Sequence, residues 1–260
     1  MTDPTTFERE PGGVRLFTLA RPEAMNALNR STVGAIMAAA SEVRDDRDAR
    51  VVIFTGLGDR AFSAGADLKE RAGLGDSEVA DAVRAISRAM QAVADIPIPT
   101  IAAINGAALG GGLELALACD IRIASSSATL GLPETTLAII PGGGGTQRLP
   151  RIAGIARATE LIVTGRRISA GEALGYGIVH EVVAPGELGA RAATLARTIA
   201  ANGPIAVRAA KEAITRGIDM PLADAISLEH ELYRRTIPTK DRAEGLAAFR
   251  DKRAPVYRGE

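Results

Sequence analysis

The feature that most limits what this chain can fold into is an alternation, through its first two thirds, of short β-branched runs, small-residue turns and helical stretches. Val14–Leu19, Val51–Thr55, Thr100–Ile104, Ile121–Ala124 and Ala128–Leu132 read as strands. Between them, Arg30–Arg44 and Ser77–Ala94 carry the helical period, and each begins beside an Asn, Asp or Ser suited to capping. The pattern predicts an α/β core. The final third changes character: Ser169 with Glu172, and Asp241 with Glu244, have capping-box spacing, and long helical segments follow around Gly186–Arg216, Pro221–Thr236 and Asp241–Arg253. No polar linker separates the two parts, so one body is expected, with an α/β core over 1–190 and a helical region over 191–260. The helix from Pro221 carries Leu222, Ile226, Leu228 and Leu232, which suits packing either on its own core or on another subunit.

Composition narrows the class. Aromatic residues are only 3% of the 260, so the core must be built from Ala, Val, Ile and Leu, and 28 glycines point to close backbone approaches. Lys+Arg and Asp+Glu are equal at 31 each, so overall charge gives no case for nucleic acid or anionic lipid. Cys119 is the lone cysteine, which rules out an internal disulfide or a thiolate metal cluster and suggests a reducing compartment. Met1–Glu10 has no apolar run, and Thr100–Ala124 is interrupted by Asn105, Glu114 and Asp120, so neither a signal peptide nor a membrane span is expected. A cytoplasmic protein is predicted.

Three segments carry candidate chemistry. Ala61–Glu70 and Ile104–Glu114 each place small residues after a strand and before a helix, where N–H groups are unpaired and the dipole end is positive. If the two turns converged, they could clamp one carbonyl oxygen as it becomes an enolate. Taken alone, the glycines at 110–112 read more readily as tight packing of a helix on a strand. The third segment, Leu132–Pro133–Glu134, supplies a carboxyl with little local charge compensation, and Glu114 supplies another among Leu113 and Leu115–Ala118. Two such groups in one apolar pocket would titrate as a coupled pair, giving one acid and one base; a salt-bridged Glu114 and a surface Glu134 are the alternatives. His180 and His230 lack metal-ligand spacing, Ser63 lacks a nucleophile-elbow frame, and Pro141–Arg148 lacks the lysine of a phosphate loop. No metal site is expected.

Together the segments resemble the crotonase (enoyl-CoA hydratase/isomerase) family over essentially the whole chain. The resemblance rests on Ala64–Asp67, Asn105–Gly106 with Gly110–Gly112, Cys119–Asp120, Pro133–Glu134 and Ile140–Leu149 in family order and spacing. It implies a spiral of ββα units with a helical C-terminal trimerisation region, assembled as a homotrimer or a hexamer made of two trimers. It further implies an oxyanion hole from Ala66 and Gly111, and the two hydratase glutamates at Glu114 and Glu134. Coenzyme A contacts are implied from the Met25–Ala27 backbone, from Ala64, Asp67, Leu68 and Lys69, and from Tyr233 and Lys252. The expected activity is hydration of a 2-enoyl-CoA, with no cofactor beyond the coenzyme A of the substrate; a Δ3,Δ2-enoyl-CoA isomerase is the rival. A narrower likeness, through Gly65–Arg71, Ala138–Pro141 and Ile237–Arg242, is to methylglutaconyl-CoA hydratases, with Lys69 and Arg71 as candidates for meeting a second carboxylate. Some of those bind RNA through a lysine-rich helix. Here Asn29–Arg50 balances Arg30, Arg44, Arg47 and Arg50 against Glu42, Asp45, Asp46 and Asp48, so nucleic-acid binding is not expected.

Overall fold

The computed structural model describes residues 4–260; Met1–Asp3, the start of the stretch read above as lacking a signal, lie outside the described residues. In chain order the strands are β1 (Thr5–Glu10), β2 (Val14–Leu19), β3 (Val51–Gly56), β4 (Ala61–Ser63), β5 (Thr100–Ile104), β6 (Ala107–Leu109), β7 (Ile121–Ser125), β8 (Thr129–Gly131), β9 (Ile168–Ser169) and β10 (Glu181–Val183). The helices are α1 (Arg30–Asp45), α2 (Leu68–Arg71), α3 (Asp76–Ala94), α4 (Gly111–Ala118), α5 (Gly145–Ala153), α6 (Ile155–Thr164), α7 (Ala170–Gly175), α8 (Leu188–Ala200), α9 (Pro204–Gly217), α10 (Leu222–Thr236) and α11 (Lys240–Asp251).

The strands form two sheets, ordered β1-β2-β3-β5-β7-β10 and β4-β6-β8-β9. The chain alternates between them: each long strand β3, β5 and β7 is followed at once by a short partner, β4, β6 and β8, in the other sheet. A helical segment then returns the chain, so the fold advances as a spiral of two strands and a helix. β2, β3, β5 and β7 run parallel, which calls for a cover on both faces. One face is closed by a large apolar cluster that includes Phe17, Phe54, Ile36, Met90 and Leu115, and the other by Leu188, Ala192 and Ala196 of α8 against Val51, Ile101 and Ile123.

Local rules explain most element boundaries. Asn29 caps α1 by accepting the Thr32 N–H, and the Ser169–Glu172 box caps α7 in both directions. Elsewhere the structure departs from the sequence reading. Glycine, Gly75, stands at the cap of α3, where the Glu78 carboxylate accepts its N–H, and the predicted Gly186–Arg216 helix is two helices broken at 201–203. Asp241 does not cap α11; Thr239 does, accepting the Arg242 N–H. Asp241 is buried and accepts the N–H groups of Arg258 and Gly259, so it anchors the final residues instead. β4 and β6, three residues each, carry no strand signal of their own, and β1 is too polar to show one. His180 precedes β10, and its Nδ1 accepts the Arg122 N–H. Among the acids of Asn29–Arg50, Asp46 pairs with the buried Arg15 and Glu42 with Arg9. No helix among the described residues is long and apolar enough to cross a membrane.

Candidate active site

The small sheet positions the site. Its neighbouring strands β4, β6 and β8 each run into a turn, and the three turns lie side by side around a cavity of about 420 Å³. After β4, the Ala64–Asp67 turn is pinned at several points. The Ala64 N–H donates to the Met25 carbonyl, and Leu28 bridges the turn by donating to the Gly65 carbonyl and accepting the Asp67 N–H. In that parallel bridge the N–H of Ala66, the residue between, points away from Leu28. Asp67 caps α2 through the N–H groups of Lys69 and Glu70 and pairs with Arg21 at 3.0 Å. Burial works against its charge, but the guanidinium and the two N–H groups outweigh it and hold the carboxyl below its ordinary range.

After β6, Gly110 takes φ +51°, ψ −125°, a conformation that suits glycine, and donates its N–H to the Gly131 carbonyl at the end of β8. α4 then starts at Gly111, whose N–H has no intrahelical acceptor. A Cβ on Gly111 would lie 3.6 Å from the Ala66 nitrogen, and one on Gly112 would overlap the Ser63 carbonyl. The two turns therefore do converge, and they do so because three successive residues there lack side chains. Neither the Ala66 nor the Gly111 N–H makes a hydrogen bond among the described residues.

Two carboxyl groups face the same cavity. Glu114, one turn into the wholly buried α4, is 2% exposed. Its Oε1 accepts the N–H groups of Gly143 at 2.7 Å and Gly145 at 2.8 Å, the latter opening α5. Burial lifts its pKa above the ordinary carboxylate value, although those two N–H groups and the charges of Arg148 and Arg71 pull the other way. Glu134 sits in the single helical turn Pro133–Leu137 after β8. Its Oε2 is buried without a hydrogen-bond partner, and burial, reinforced by the Glu114 charge, pushes its pKa up to about 7. The two carboxyl groups are thus unlike: two N–H donors favour the anion of Glu114, whereas Glu134 Oε2 has no such donor and burial favours its neutral form. Val79, Val83, Ile86, Leu137 and Ile140 make most of the remaining wall apolar, with Arg71 and Arg167 adding two guanidinium groups.

The arrangement can polarise a carbonyl oxygen with two backbone donors and move protons on either side of it. Comparison with known proteins agrees with that reading, since residues 9–260 match the family described as Enoyl-CoA hydratase/isomerase. The chain belongs to that family. A solved enoyl-CoA hydratase from Bacillus anthracis superposes with a TM-score of 0.98 at 51% identity, covering 99% of this chain and 100% of the other. The human mitochondrial enoyl-CoA hydratase domain-containing protein 2 is 48% identical over 95% of this chain and 86% of its own length. Human mitochondrial methylglutaconyl-CoA hydratase is 46% identical over 98% of this chain and 76% of its own. The crotonase fold expected from the sequence is the fold observed, and the protein is an enzyme of this family.

Placed in this crotonase frame, the other candidate residues divide. Ala64 and Leu68 line the cavity beside Ala66, Gly111 and the two glutamates. Met25 and Ala27 lie behind the turn, where the Met25 carbonyl holds Ala64 and the Ala27 carbonyl accepts from Arg21. Lys69 is exposed and does not line the cavity, whereas Arg71 does. Tyr233 on α10 and Lys252 after α11 are exposed and are not brought to the cavity by this chain alone. Sequence reasoning assigned no role to Gly143, Gly145 or Arg148; the signal available was a four-glycine run directly before a helix, whose free N–H groups need an acceptor.

Proposed function

We propose that this enzyme is a hydro-lyase adding water across the 2,3 double bond of a 2-enoyl-CoA thioester. The observation that carries the proposal is the unlike hydrogen bonding of Glu114 and Glu134 beside two unpaired N–H donors. The N–H groups of Ala66 and Gly111 hold the thioester oxygen as negative charge develops on it. The Glu114 carboxylate takes a proton from water as its oxygen bonds to the β-carbon, and the protonated Glu134 delivers its proton to the α-carbon. Water is consumed whole; exchange with solvent returns Glu114 to the anion and Glu134 to the acid. The steps call on no metal or redox group, and coenzyme A enters as the part of the substrate whose remote contacts position the acyl chain.

The acyl group we favour is a branched one ending in a second carboxylate, the methylglutaconyl class. Arg71 supports this: it lines the apolar cavity, and its guanidinium forms no ion pair or hydrogen bond among the described residues. A desolvated substrate carboxylate needs such a partner. Lys69, the other sequence candidate, faces away. We also propose a trimer or a hexamer, because Ile155 at 78% and Phe249 at 86% exposure, with Ile214, Ile218 and Leu222, leave apolar surface uncovered. The test of activity is product identity: incubation with crotonyl-CoA should give a 3-hydroxyacyl-CoA, with the reaction lost in Glu114→Gln. Formation of 3-enoyl-CoA isomer without hydration would overturn the hydratase reading in favour of an isomerase.

A further inference from the structure

The loop 142–145 faces two ways. Toward the cavity, the N–H groups of Gly143 and Gly145 converge on Glu114 Oε1. The carbonyl between them, that of Gly143, is held from elsewhere by Arg148, whose Nη1 donates to it at 2.9 Å. The same guanidinium reaches α3, where Nη2 donates to Gln91 Oε1 at 3.0 Å. Gly144, at φ +105°, wraps so closely that a Cβ there would overlap Arg148 Nη1. Arg148 itself does not line the catalytic cavity; it borders a separate cleft with Gln91 and Lys211.

A run of four glycines has the widest backbone freedom a chain can have, and nothing in it favours two N–H groups aimed at one oxygen. The peptide joining Gly143 to Gly144 lies between the two donor peptides, so holding its carbonyl restrains the planes on either side. We infer that Arg148 is a positioning residue for hydration: by clamping the Gly143 carbonyl it sets the two N–H groups that hold Glu114 Oε1. The charged groups facing Glu114 are few. Arg71 comes from α2, Arg148 from α5 and Glu134 from the turn after β8, while Asp95, directly after α3, acts on Arg148. Removing Arg148 takes away one of two favourable charges and frees the loop, so Glu114 becomes harder to ionise.

The inference rests on the hydratase reading, and the experiment separates the two. Wild type and Glu114→Gln are assayed first on crotonyl-CoA; a wild type that does not hydrate ends the reading itself. In a hydrating enzyme, Arg148→Met and Arg148→Lys are followed as kcat/KM against pH. The acid limb, which reports ionisation of the base, should move to higher pH by about one unit in Arg148→Met, so that the loss is near tenfold at the acid end and smaller above the limb. Arg148→Lys keeps the charge but cannot span Gly143 and Gln91 together, and should fall between. A folded Arg148→Met enzyme with a lower rate but an unmoved limb would overturn the inference and leave Arg148 a merely structural residue. If that variant does not fold, the Arg148→Lys limb decides in the same way.

Discussion

Glu134→Gln separates what the carboxyl does for the reaction from what it costs the fold. The rise of its pKa from 4.5 to about 7 corresponds to about 3.4 kcal/mol at 1.36 kcal/mol per pH unit, and water reaching this half-buried group reduces that to about 1–2 kcal/mol. The direction follows from burial. Below pH 4.5 the carboxyl is neutral in both folded and unfolded chains, and no penalty exists. As pH rises from 4.5 to 7 the unfolded chain ionises first, so stability falls, and above 7 the penalty stays constant. Glutamine cannot ionise. The variant should therefore be more stable than wild type by about 1–2 kcal/mol at pH 8, with the gain vanishing near pH 4.5. Denaturant unfolding at both pH values, at one protein concentration and with unchanged m, measures it. The same substitution should lower kcat by about 10²-fold or more, because the proton donor is gone. A variant that is less stable than wild type at both pH values, or an equal difference at both, would refute the reasoning.

Other outcomes follow from single contacts. Gly111→Pro removes one of the two proposed N–H donors at the first position of a helix, where proline's missing N–H breaks no helical hydrogen bond, and should reduce kcat by about 10²-fold; a folded variant within a few-fold of wild type would remove Gly111 from the oxyanion site. Gly112→Ala, which drives a methyl into the Ser63 carbonyl, should cost about 3 kcal/mol or more, and an unchanged denaturation midpoint would show that α4 can shift. Arg71→Ala should depress kcat/KM for methylglutaconyl-CoA by about 1–3 kcal/mol more than for crotonyl-CoA; equal losses would assign Arg71 to the glutamates alone. Light scattering at micromolar concentration should return a trimer or hexamer, and a monomer would contradict that assembly.

How far the sequence speaks depends on where the physical cause sits. Thr100–Ile104 is legible to the residue because a strand covered on both faces needs a nearly continuous apolar run, and Val14–Leu19 reads the same way despite Arg15, whose charge Asp46 meets. β4 and β6 are not, since three-residue strands exist only through their neighbours in the small sheet. Asp241 shows a competition that spacing cannot resolve: it has the cap's position relative to Glu244, yet Thr239 takes the cap and the tail takes Asp241. At the site, Glu114 stands out in the sequence as a carboxyl inside an apolar helix, and the small residues around 65 and 111 announce a close approach. What stays hidden is the partner of Glu114. It is a pair of backbone N–H groups 29 and 31 residues away, and backbone donors leave no side-chain signature.

The succession of turns after β4, β6 and β8 also bears on how such a framework can change over evolutionary time. The two amide donors come from the first two turns and are supplied by the main chain, so their presence is insensitive to most substitutions nearby that preserve the backbone. The proposed proton donor comes from the third turn and is a single side chain, held beside the second by the pairing of β6 with β8 and the Gly110–Gly131 hydrogen bond. In the proposed hydration, the grip on the thioester carbonyl and the proton delivered from position 134 thus come from separate turns, while Glu114 shares α4 with Gly111. A single codon at 134 can alter what happens to the bound substrate while the grip on its carbonyl is inherited unchanged.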